Sequence, residues 1–132
     1  MQTAQSISQN RAAAATGLKA AVRILDKWSA SGEQGESILR VTHSTYARAR
    51  RGDIAEIKLD SDQLTRISYL LNIHASLRVI FDNPENLYGF VNMINHNPYF
   101  NGRTPLEIMG SGDFAALYET FKRIDSLRGA QW

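Results

Sequence analysis

DSDQLTRISYLLNIHASLRVIF, residues 60–81, is the stretch that decides the fold. Leu64, Ile67, Leu70, Leu71, Leu77 and Phe81 recur mostly at helical spacing, a stripe of about six turns that predicts a long central helix with Asp60 as its N-cap. Upstream, Leu18, Ala21, Val22, Leu25 and Trp28 mark one face of an earlier helix that starts at Thr16. Ser31 and Gln34 form a capping-box pattern for a short helix burying Ile38 and Leu39. Thr42 caps another that reaches Arg51 and stops at Gly52 in the left-handed conformation. Downstream, Asn83-Pro84 and Thr104-Pro105-Leu106-Glu107 both read as helix starts, and Phe114, Leu117, Tyr118, Phe121, Ile124 and Leu127 predict a last amphipathic helix. No strand-like alternation competes, so the expected class is all-α with about seven helices.

The chain has 132 residues, the size of one domain or of a helical unit with a small appended module, and its 43% hydrophobic and 21% charged residues can build a core. It has no cysteine, which excludes disulfides, thiolate metal sites and a cysteine nucleophile. His43, His74 and His96 lie 31 and 22 residues apart, without metal-ligand spacing, so no metal and no cofactor are expected. No apolar run is long enough to span a bilayer and no signal-peptide pattern opens the chain; the expectation is a cytoplasmic protein without a membrane partner.

The net charge of +2 is unevenly distributed. Residues 1–57 hold eight basic and five acidic groups (+3), residues 58–132 seven and eight (−1), and four arginines fall between Arg40 and Arg51. The division expected is a flexible arm over 1–15, with extension of the first helix through its alanines as the alternative, a basic front module over 16–57 and a helical back domain over 58–132. In the front, two short helices joined by Arg40-Val41-Thr42 have the arrangement of a helix-turn-helix. His43, Ser44 and Thr45 would then reach base edges, and Arg48 and Arg51 would contact phosphates of operator DNA. A specific site would require a homodimer presenting two such helices. The alternative for the same arginines is a solvated helix face, and for Tyr46 a core position. The turn carries Arg40 where glycine is usual, at a cost of about 1 kcal/mol for a left-handed backbone.

The back half shows no catalytic constellation. Its carboxylates are dispersed and mostly sit at helix starts, and neither Asn101-Gly102 nor Gly110-Ser111-Gly112 follows the strand that a hairpin or phosphate loop needs. Two strings are distinctive: LDSDQLTRISYLLNIHASLRVIFDNPENLYGFV (59–91) and NPYFNGRTPLEIMGSGDFAALYETFKRIDSLRG (97–129). Over about residues 16–132 the chain resembles the Xre/MbcA/ParS antitoxin family. The most specific pieces are the run from Asn97 to Gly112 and the segment Gln63-Leu64-Thr65-Arg66-Ile67.

That resemblance implies a helix-turn-helix-like N-terminal module, a C-terminal toxin-binding domain and a partner toxin of the RES-domain type, which depletes cellular NAD. It implies occlusion of the toxin's active site, no catalysis by the chain itself, and repression of its own operon. By position, it places toxin contacts at Tyr99, Phe100, Asn101, Gly102 and Arg103, and at Lys122, Arg123, Arg128 and Trp132; the alternative for Trp132 is a ring folded back on the chain's own core, and for Arg128 a charge that complements the helix dipole. Two other functions fit the same residues: a DNA-binding transcriptional regulator whose C-terminal helices serve dimerisation only, and a helical adaptor without a DNA role.

Overall fold

The computed structural model describes residues 4–129. Seven α-helices follow one another: α1 (Ala4–Lys27), α2 (Gly32–Leu39), α3 (His43–Arg51), α4 (Ser61–Ile80), α5 (Pro84–Gly89), α6 (Pro105–Met109) and α7 (Phe114–Ser126). Single 3₁₀ turns at Phe90–Asn92 and Leu127–Gly129 continue α5 and α7. Among the described residues there is no strand, and the fold is all-α.

The helix starts follow the side-chain chemistry at their caps. Ser31 with Gln34, Asp60 with Gln63 and Thr104 with Glu107 each form a reciprocal capping box, while Thr42 and Asn83 accept from the backbone N–H three residues on. α3 stops at Gly52, whose φ of 83° is the left-handed conformation that a residue without Cβ adopts freely. At the beginning of the chain the alanines extend the first helix, the alternative to an arm. α1 starts at Ala4, so most of the stretch read as an arm is helical. Alanine is the best intrinsic helix former, and Arg11-Ala-Ala-Ala-Ala15 continues the helix backwards from its buried part.

One continuous apolar cluster holds the molecule together. It takes Leu18, Val22 and Leu25 from α1 and Trp28 just after it, Ile38 and Leu39 from α2, Tyr46 from α3, Leu70, Ile73 and Leu77 from α4, Met109 from α6 and Leu117 and Ile124 from α7. α4 packs against both α1 and α7. Its buried face is rotated from the stripe expected: Leu64 is 40% exposed, whereas Arg66, Ile73 and Ser76 are buried. Taking every leucine as core misplaces Leu64, while Arg66 is buried with internal acceptors. A smaller cluster of Phe100, Ile108 and Ala116, with Tyr99 against it, underlies the loop before α6.

Candidate interaction sites

At the front, α2 and α3 approach closely because residue 35 is glycine. A Cβ there would meet the Tyr46 ring, with Cε2 2.6 Å away. Tyr46 is buried, and burial pushes its hydroxyl pKa up to about 12. Its expected core role is therefore the one it has. The connecting turn has Arg40 in the left-handed region at φ 55°, as its position required. The Arg40 guanidinium turns away from α3 and pairs with Asp60 and Asp62 at the start of α4, and its backbone carbonyl accepts from Gln63 Nε2 at 2.9 Å. The same carboxylates sit below their usual pKa, first through the Arg40 hydrogen bonds.

The remaining residues expected to meet DNA fall into two groups. His43, Ser44 and Arg51 are exposed on the outward face of α3, with Ala47 between them. His43 Nδ1 lies 3.1 Å from Glu36 Oε2. Thr45 is turned inwards and is half-buried, and its hydroxyl lies 3.0 Å from that of the cap residue Thr42. Arg48 is also engaged within the chain: it donates to the Ala55 carbonyl at 2.6 Å and lies 3.4 Å from Asp53. Arg50 pairs with Asp26 of α1 at 2.7 Å and stacks over Tyr46. Of the four arginines between 40 and 51, Arg51 is the one with no carboxylate partner among the described residues.

At the back, the loop over 93–104 is pinned to itself: Asn95 N–H donates to the Arg103 carbonyl (3.1 Å), and Gly102 N–H returns to the Asn95 carbonyl (2.9 Å). Asn101 and Gly102 turn the chain with φ of 51° and 81°. Phe100 is only 2% exposed and is the loop's apolar anchor; it offers no surface to a partner. Tyr99 stands edge-on to Phe100, and the Arg123 guanidinium lies over its ring, 4.3 Å from the centroid. Arg123 also pairs with Glu119 one turn back. Tyr99, Lys122 and Arg123, distant in sequence, thus line one shallow cleft with Asn97, Pro98 and Ser126. Arg103 is exposed on the other side of Tyr99. Arg128 pairs with Asp125 at 3.3 Å and stays outside that cleft. Trp132 lies outside the described residues.

Sequence reasoning gave Arg66 no role. It is buried at the junction of three segments, bonding Asp62 at 3.0 Å, the Ile38 carbonyl at 3.2 Å and the Gly112 carbonyl at 2.9 Å. Its place one turn after Asp62 was visible; its two carbonyl partners were not.

No protein-family model matches this chain, and no solved structure matches it. Among curated proteins it is similar to the uncharacterized protein y4oB of Sinorhizobium fredii (strain NBRC 101917 / NGR234), 27% identical over 113 residues, which cover 85% of this chain and 84% of that protein. Among the described residues no group of three histidine or acidic side chains gathers as a metal set, and no helix is long and apolar enough to cross a membrane.

Proposed function

We propose that this chain is an antitoxin of the Xre/MbcA/ParS kind, a cytoplasmic protein that binds a RES-domain toxin and covers its active site through the C-terminal surface. The observation that supports this reading is the convergence of Tyr99, Lys122 and Arg123 in one cleft. These residues come from two of the segments that the family resemblance designates, and they combine an aromatic face with cations on a loop that is internally hydrogen-bonded. Such a surface is preorganised: binding need not order the loop, and the anchors are of the types that dominate interface energetics. Inhibition by occlusion asks for no reacting group, so the chain itself is not an enzyme and uses no cofactor.

The second half of the proposal is that α2, the turn and α3 act as a helix-turn-helix-like module through which a homodimer represses its operon. It is supported by the outward placement of His43, Ser44 and Arg51. Co-expression tests the first half. A neighbouring open reading frame that arrests growth alone should be tolerated beside this chain, and Lys122→Glu with Arg123→Glu should restore arrest while leaving the chain folded. Continued arrest beside the unaltered protein would overturn the antitoxin reading.

A further inference from the structure

The arginines that made α3 the expected polyanion contact are mostly spent inside the molecule, and the unpaired cations lie elsewhere. Arg40, Arg48 and Arg50 each face carboxylates of their own chain. On α1, Lys19, Arg23 and Lys27 have no carboxylate within ion-pair distance among the described residues, and the neighbouring Asp26 is already held by Arg50. These three cations are spaced four residues apart, so they stand one above the other along the helix, about 6 Å per step. α1 packs against α3, and a Cβ built on Gly52 would lie 3.5 Å from Lys19 Nζ, which puts the C-terminal end of α3, with Arg51, beside the row. At the far end, Lys27 lies over the Tyr88 ring, and Lys27 and Arg78 both act on His74.

We propose that the outer edge of α1, through Lys19, Arg23 and Lys27 together with Arg51, is a contact surface for the phosphate backbone of duplex DNA. This rests on the DNA-binding half of the function proposed above, and it moves the main electrostatic contact from the centre of α3 to α1. The row spans about 12 Å, a reach of three to four phosphates of one strand. An anionic membrane fits less well, because the apolar side chains alongside the cationic row, Leu18, Val22 and Leu25, are fully buried and not available to insert. An acidic protein surface would call for apolar anchors among the charges, and among the described side chains none of the large exposed apolar residues belongs to α1. Single-stranded nucleic acid would call for free rings on which successive bases stack; Trp28 is buried, and the half-buried Tyr88 ring beside the end of α1 is already engaged, with Lys27 over it and His74 stacked on it.

The test is fluorescence anisotropy on two duplexes, the region upstream of the gene and an unrelated sequence, with full-length protein. Removing four phosphate contacts by Lys19→Gln, Arg23→Gln, Lys27→Gln and Arg51→Gln should reduce the slope of log affinity against log salt by about 3.6. Those contacts correspond to about a hundredfold of affinity between about 50 and 200 mM salt. The loss should be similar on both duplexes, because phosphate contacts carry no sequence information. Arg23→Glu alone, at an exposed and unpaired position, should weaken both complexes and keeps the test decisive if the fourfold variant does not fold. Unchanged affinity and slope in a folded variant of a protein that binds DNA would overturn the α1 surface and leave DNA binding standing. Absence of binding by the unaltered protein to either duplex would overturn both together.

Discussion

Arg40 holds a left-handed backbone that glycine would adopt at lower cost, and its guanidinium joins the end of α2 to the start of α4 through Asp60 and Asp62. The two roles separate in variants. Arg40→Ala loses the ion pairs and keeps the strain; Arg40→Gly loses the pairs and relieves it, so the glycine variant should be the more stable by about 1 kcal/mol in chemical denaturation. The strain was legible in the sequence because the turn fixes the conformation locally. The partners, twenty and more residues away, were not. Both carboxylates are held below their ordinary value of 3.8, so the stability they contribute is present above that value and lost as pH falls through the folded values. His74 acts earlier: burial first, then Arg78 and Lys27, lowers its pKa below 6.5, so the stability of the neutral imidazole is lost as pH falls from 6.5 through the folded value. Melting temperature against pH should therefore fall in two stages. His74→Gln should remove the upper stage, and Asp60→Asn with Asp62→Asn should flatten the lower one. Arg66→Ala should cost about 3 kcal/mol, because the Ile38 and Gly112 carbonyls lose a charged donor.

At the scale of elements, helix starts were the most legible feature, since a capping box is a signal four residues long and its chemistry is local. Ser31, Thr42, Asp60, Asn83 and Thr104 all cap where their side chains predict. Helix faces were less legible: Leu64 is half outside and Arg66 is inside, because burial depends on which neighbours arrive. The α2–α3 contact depends on Gly35 in the same non-local way. Gly35→Ala should destabilise the protein by about 1–3 kcal/mol, as an added methyl meets the Tyr46 ring and the core has to yield. Combining it with Tyr46→Phe should recover part of that loss, since the hydroxyl oxygen is among the atoms met. In the loop before α6, the sequence marked Tyr99 to Arg103 as one surface, but the structure divides it into an inward anchor, Phe100, and a ring, Tyr99, held under Arg123.

Across the whole molecule, the uneven charge is plain in the sequence, but its division between paired and unpaired cations is not. Counting residues cannot show which cations their own carboxylates neutralise; the pairings with Asp26, Asp53, Asp60 and Asp62 can. Among the described residues the front carries an unpaired cationic row on α1 and the back an aromatic–cationic cleft, two surfaces on one apolar core. That arrangement suits a protein that works by contact with partners. The proposed antitoxin role requires the C-terminal surface to stop an NAD-consuming toxin by covering its active site. The most direct measurement is NAD consumption by the purified product of the neighbouring open reading frame, titrated with this chain. Consumption should fall to zero at a fixed molar ratio, and the Lys122→Glu/Arg123→Glu variant should leave it running; consumption that continues unchanged with the unaltered chain in excess would contradict the claim.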